Sequence, residues 1–238
     1  MTSAGIWFCN TVDAVSEATA DMAIFLILAV VRNTTIAEKQ ARNGDWKTGL
    51  TPSDDPQGKV LGIVGLGGIG KYVAKKAAVF GMKVAYFKRR RLPREIEEEY
   101  GVTYCETLHE LLRTSDIVSL HTPLNAATTG LISHPEFEVM KHGSYLVNTA
   151  RGAVVNQTAL IAALEGGKLC RAGLDVFEGE PAIDPWFRRT DKVVLQPHMG
   201  GLTVSAFAKS QRECLENVRA LFERGAPNSP VNRPEEKS

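Results

Sequence analysis

The chain has 238 residues, 44% hydrophobic and 23% charged, which suits one large or two small globular domains with a proper core. A formal net charge of +1 gives no general reason to expect nucleic acid or an anionic membrane as a partner. Cys9, Cys105, Cys170 and Cys214 stand apart with no CxxC pair, which argues against a disulfide framework or a metal site and for reduced thiols. The longest apolar run, 22–31, is too short to span a bilayer, so a cytoplasmic protein is expected.

Residues 1–15 read as the tail of a strand and a loop. A helix follows over 16–32, apolar nearly all round from Met22 to Val31, and such a helix needs cover on several sides. Residues 33–58 turn polar, then rich in Gly and Pro, and read as a helix end and connector. From Lys59 the pattern alternates. Strands are expected at 59–64, 83–87, 102–105, 116–121, 144–149, 172–177 and 193–197, and helices at 69–80, 94–100, 106–113, 134–142 and 156–166. Continuous apolar strands alternating with amphipathic helices predict a doubly wound parallel α/β sheet. A last helix covers 203–224, and the proline-bearing tail 225–238 is expected to fray.

The first strand runs into Gly65-Leu66-Gly67-Gly68-Ile69-Gly70, which opens a helix. That placement makes the glycine pattern a dinucleotide fingerprint. Gly65 makes the turn, Gly67 lets the backbone approach a pyrophosphate, Gly70 lets helix pack on strand, and the helix N-terminus faces the anion. After the second strand an acidic residue is usual for the adenosine ribose, but here Phe87 precedes Lys88-Arg89-Arg90-Arg91. The basic run favours a 2′-phosphate, hence NADP over NAD, against the plainer reading of a solvated loop.

Three further strands end on residues suited to carbonyl chemistry. Thr149-Ala150-Arg151 ends one, Glu178 to Pro181 follows the next, which carries Asp175, and His198-Met199-Gly200-Gly201 follows the last. Arginine can clamp a carboxylate with paired hydrogen bonds, and histidine can move a proton to or from a carbonyl oxygen. A carboxylate beside the histidine orients its ring and favours the charged form. Alone, His198 could be a core or capping residue; in company with Arg151 and Glu180 it reads as catalytic. His121 at another strand end reads as structural or cofactor-lining, and His109, His134 and His142 as solvated helix residues. Glu178 should point away from Glu180, and none of the histidines has metal-ligand spacing.

The fingerprint, the N-x-x-R-G turn at 148–152, the D-V-F-x-x-E-P turn at 175–181 and the P-H-x-G-G turn at 197–201 together resemble the D-isomer-specific 2-hydroxyacid dehydrogenase family, over about 5–220 and including Thr19-Ala20-Asp21. The resemblance implies a Rossmann NAD(P)-binding domain at 18–201 and a truncated flavodoxin-like substrate domain, with a remnant at 1–17 and a C-terminal helix and tail at 202–238. It implies Arg151 as substrate clamp, Glu180 as support, and His198 as acid/base for a small 2-oxoacid. Gly65, Gly67, Gly68, Ile69, Gly70, Lys88, Arg89, Thr122, Pro123, Thr149, Ala150, Arg151, Asp175 and His198 would line the cofactor. The basic run is similar to the glyoxylate and hydroxypyruvate reductase branch. With little chain ahead of the first helix, helices 16–32 and 203–224 are expected to lack packing partners, and a homodimer is expected to form through the first. A non-catalytic dinucleotide-binding scaffold or sensor is the alternative. A short-chain reductase is disfavoured, because no Tyr-x-x-x-Lys pair follows the fingerprint.

Overall fold

The computed structural model describes residues 2–234, which divide into two compact units, 19–200 and 2–18 with 201–234. The larger unit holds β1 (Val60–Val64), β2 (Lys83–Phe87), β3 (Val102–Tyr104), β4 (Ile117–Leu120), β5 (Ser144–Asn148), β6 (Leu169–Leu174) and β7 (Val193–Leu195). They form one parallel sheet in the order β3-β2-β1-β4-β5-β6-β7. The order reverses between β1 and β4, the switch point beyond which ligands bind in such sheets. Every residue of β4 and β5 is buried, as expected of strands covered on both faces.

Helices fill both faces. One core holds Leu111 and Leu112 of α5 (Leu108–Thr114), Phe137 of α6 (His134–Val139), Leu160 and Leu164 of α7 (Gln157–Glu165), and Phe187 of α8 (Pro185–Arg189). The other holds α1 (Ser16–Val31) and α3 (Gly68–Val79), with Tyr100 of α4 (Arg94–Tyr100) against it. On α1, Ala20, Ala23, Ile27 and Val30 recur at helical spacing with no exposed surface, and Leu26 is equally buried. A Cβ at Gly173 of β6 would lie 2.9 Å from the Leu26 Cβ, so glycine there lets the helix settle on the strand. The run 22–31 therefore finds its cover on the chain's own sheet, contrary to the expectation of an unpartnered helix. Its exposed large apolar residue is Phe25.

Other differences are local. The connector 33–58 contains a helix, α2 (Thr34–Asn43), whose polar composition hid it; Lys39 pairs with Asp191 and Gly44 closes its end in the left-handed region. α8 follows Asp184, whose side chain accepts from the Trp186 amide, a capped start in a stretch where no helix was expected. β6 lies three residues earlier than the apolar run 172–177 suggested. Its polar Arg171 is accommodated by a hydrogen bond to the Val30 carbonyl, and the chain leaves the sheet after Leu174. His142 lies in the turn after α6 rather than on a helix, and His109 is half-buried with Nε2 3.2 Å from Glu136.

In the smaller unit, α9 (Val204–Arg224) starts at Thr203, whose hydroxyl accepts from the Ala206 amide. The tail pairs back rather than fraying over its described length. Cys9 bridges Pro230, the Val231 amide donates to the Phe8 carbonyl at 2.8 Å, and the Ser229 amide donates to Asn217 of α9. Residues 235–238 of the expected frayed tail lie outside the described residues. Val204, Leu215 and Phe222 of α9 are strongly exposed. No single helix among the described residues is long and apolar enough to cross a membrane.

Candidate functional site

At the end of β1 the chain turns at Gly65 with φ of +97°, a conformation open to glycine, and a Cβ there would also meet the His121 carbonyl oxygen at 2.8 Å. A Cβ at Gly70 would sit 2.5 Å from the Gly65 carbonyl oxygen, so Gly70 is a packing glycine. Gly67 has open space where its Cβ would be, and no side chain caps α3 there. The exposed amide end of α3, at Gly68 and Ile69, is thus available to an anion.

A cleft of about 740 Å³ lies against this turn. Gly65, Gly67, Lys88, Arg89, Thr122 and Pro123 line it, and so do Phe87, Arg90 and His121. The fourth member of the basic run does not. Arg91 turns away into a bidentate pair with Glu97, with Nε to Oε1 at 2.9 Å and Nη2 to Oε2 at 2.7 Å. That guanidinium, and then the Tyr86 hydroxyl, hold the Glu97 carboxyl down to about 2. Asn125 and Thr128 also line the cleft and were missed. Their signal was the Asn-Ala-Ala-Thr turn, in which the Asn125 amide donates to the Thr128 hydroxyl and the Ala127 amide to Asn125.

His121 keeps its ring neutral. Burial pushes it down to about 4, its Nε2 lies 2.8 Å from the Ser119 hydroxyl, and its Nδ1 is buried without a protein partner. Thr122 Oγ1 and Thr149 Oγ1 are likewise buried and unpaired. These groups, the open backbone at Gly67 and the uncapped helix end together fit a dinucleotide, whose polar atoms could satisfy what the protein leaves unmet.

Beyond β5 to β7 the other residues converge outside that cleft. Asn148 staples its own turn, donating to the Arg151 carbonyl and accepting from the Ala150 amide. Arg151 is exposed, donates to the Ala150 carbonyl, and keeps further N–H groups for a ligand. Asp175 is buried, and its carboxylate accepts the Met199 amide at 2.6 Å and the Gly200 amide at 2.8 Å. Burial raises its pKa more than those amides and the nearby His198 lower it. The Asp175 carbonyl accepts the His198 amide, and His198 sits at φ of +57°, a left-handed conformation rare for its type. Asp175 thus fixes the turn that presents the histidine.

Glu180 meets it there. Glu180 Oε1 accepts the Phe177 amide and Oε2 lies 2.7 Å from His198 Nδ1, which leaves Nε2 of the half-exposed ring free to face a substrate. Burial alone would raise the Glu180 carboxyl, but His198, the Phe177 amide and the Arg151 charge together hold it below its ordinary value. A ring oriented at Nδ1 by a carboxylate, beside an exposed guanidinium, can clamp an anion and pass a proton to an oxygen next to it.

Sheet, fingerprint turn and cleft define a dinucleotide-binding domain carrying a histidine–carboxylate pair at its strand ends. Residues 24–200 match the model of the D-isomer specific 2-hydroxyacid dehydrogenase, NAD binding domain, and the chain belongs to that family. A dehydrogenase of Hormonema carpetanum, efuE, is 60% identical over 232 residues, covering 98% of this chain and 58% of its own. The chain therefore spans little more than half the length of that relative. Among solved structures, a glyoxylate reductase from Paecilomyes thermophila matches with a TM-score of 0.91 and 42% identity, over 99% of this chain and 70% of its own. An NADPH-dependent glyoxylate/hydroxypyruvate reductase from Sinorhizobium meliloti, in complex with NADP and malonate, matches with a TM-score of 0.86 and 31% identity, over 98% and 73%.

Proposed function

We propose that this chain carries the cofactor site and the acid/base pair of an NADPH-preferring 2-oxoacid reductase acting on glyoxylate, hydroxypyruvate or a similar small 2-oxoacid. The observation that carries the reading is the 2.7 Å contact between Glu180 and His198 Nδ1, which fixes the ring with its other nitrogen free. The nicotinamide, when bound, supplies the hydride that the substrate's carbonyl carbon accepts. His198 gives its proton to the developing alkoxide, Glu180 orients the ring and stabilises its charged form, and Arg151 holds the substrate carboxylate. Thr149, Ala150 and Asp175 are assigned to the nicotinamide end, and Gly65 to Gly70, Thr122 and Pro123 to the phosphates. Residues 2–18 and 201–234, compact together, are read as part of a substrate domain. The reading extends to a cytoplasmic homodimer, with unpaired cysteines and the exposed Phe25 as support.

The NADPH preference rests on Lys88, Arg89 and Arg90 along the cleft, where an acidic residue would repel a 2′-phosphate. One arginine–phosphate pair is worth about 1.5–3 kcal/mol, or roughly ten- to a hundredfold in affinity. Fluorescence titration with NADPH and NADH, beside turnover of glyoxylate, hydroxypyruvate and a branched 2-oxoacid, tests both halves. NADPH should bind tighter by that factor, and Arg89→Ala should erase most of the difference. Equal affinities would overturn the cofactor preference, and absence of turnover with every 2-oxoacid would favour a dinucleotide-binding scaffold.

A further inference from the structure

The loop between β2 and α4 is tied at both ends to a single hydroxyl. Tyr86, the penultimate residue of β2, is fully buried, and its hydroxyl accepts the Leu92 amide at 3.0 Å while donating to Glu97 Oε1 at 2.6 Å. Glu97, nearly enclosed on α4, accepts both Nε and Nη2 of Arg91. The Arg91 guanidinium lies 5.3 Å from the centre of the Tyr104 ring, itself 5.4 Å from the Tyr86 ring. Chain and side chain are thus held at 86, 91 and 92, and the residues between, Lys88 to Arg90, are the ones that line the cleft. Four consecutive cations would repel one another and spread if left alone. Here one is neutralised and parked on an aromatic face, and three are presented together.

We propose that Glu97, acting with Tyr86, is a positioning residue for cofactor choice, holding the 88–90 segment in the arrangement that receives a 2′-phosphate. The inference rests on reading that segment as a 2′-phosphate site. Binding to a rigid presentation avoids the entropy of ordering long side chains at the moment of contact, so loss of the tie should weaken what the segment recognises and little else. A merely structural role would weaken all adenylate binding alike.

Calorimetric titration with adenosine 2′,5′-bisphosphate and with adenosine 5′-monophosphate separates the two. The wild-type chain should prefer the bisphosphate. Glu97→Gln and Tyr86→Phe should each cut that preference by roughly five- to tenfold, with monophosphate affinity held within about twofold. An unchanged preference in both variants, or a rise as the released Arg91 joins the phosphate, would overturn the proposal. Parallel loss of both ligands in the two variants would also overturn it, in favour of a structural role. If Arg89→Ala loses the preference while Glu97→Gln and Tyr86→Phe keep it, this inference alone falls; if the wild type has no preference, the reading of the segment falls with it. Should Glu97→Gln not fold, Tyr86→Phe decides by the same criteria.

Discussion

The same substitution, Gly→Ala, should have opposite consequences at two points of this chain. A Cβ at Gly152 would lie 2.0 Å from the Phe177 carbonyl carbon, 2.3 Å from its oxygen and 2.3 Å from the Glu178 nitrogen, more than an ångström inside ordinary contact. All three are backbone atoms, so no side-chain rotation can relieve the overlap, and the turn bearing Arg151 must part from the turn leading to Glu180. Overpacking of a well-filled site costs about 1–3 kcal/mol, and an overlap this deep against main chain belongs at or above the top of that range. With a urea slope of about 2 kcal/mol/M, Gly152→Ala should lower the unfolding midpoint by roughly 1.5 M. At Gly67 the added methyl meets nothing within 4 Å and the backbone is extended, so the midpoint should stay within about 0.3 M. There the methyl fills the space through which a pyrophosphate approaches α3, and dinucleotide affinity should fall by about tenfold or more. Urea titration and NADPH fluorescence on both variants give four readings. A Gly152→Ala chain as stable as wild type, or a Gly67→Ala chain with wild-type affinity, would refute the steric argument at that position.

His198→Ala should lose about a hundredfold or more of any 2-oxoacid turnover while keeping NADPH affinity, measured by steady-state rates beside fluorescence titration. Glu180 has its folded pKa below the ordinary 4.5, so its contribution to stability is present above that pH and is lost as pH falls through the lower folded value. The stability gap between wild type and Glu180→Gln, about 0.5–1 kcal/mol for so exposed a pair, should shrink as pH falls below 4.5 in urea titrations. His121, held down to about 4 by burial, should stay neutral from pH 8 to 5 in NMR titration of its ring; a midpoint near 6.5 would place that ring in water.

How much of this was legible in the sequence depended on where the physics was local. Helix 94–100 and strand 83–87 fall at the expected residues because glycine, proline and apolar alternation mark their ends. The fingerprint was legible because its glycines answer different demands: the structure puts a positive φ at Gly65 and a tight packing contact at Gly70, and leaves open space beside Gly67. What was hidden depends on partners far along the chain. The apolar run 22–31 looks uncovered until β6 presents Gly173 beneath it, and α2 looks like a connector because its anchor, Asp191, is about 150 residues away. The basic run gave its sign but not its count. Nothing in Lys88-Arg89-Arg90-Arg91 says that the last member is claimed by Glu97, because that pairing needs α4 to fold back beside β2.

Of the three acidic residues in 175–180, Asp175 and Glu180 both lie near His198, and geometry alone gives them different work. Asp175 accepts two successive amides with its side chain inside a buried turn, and its carbonyl accepts the His198 amide, so it braces the turn in which His198 is left-handed. Glu180 spends one oxygen on the Phe177 amide and keeps the other for the imidazole. The close packing of Gly152 against the Phe177–Glu178 backbone sets the turn bearing Arg151 directly against the turn leading to Glu180. In the proposed reaction an ångström of play between His198 and Arg151 would cost about a hundredfold in rate, so the close packing of their supporting turns is what the proposed proton transfer requires.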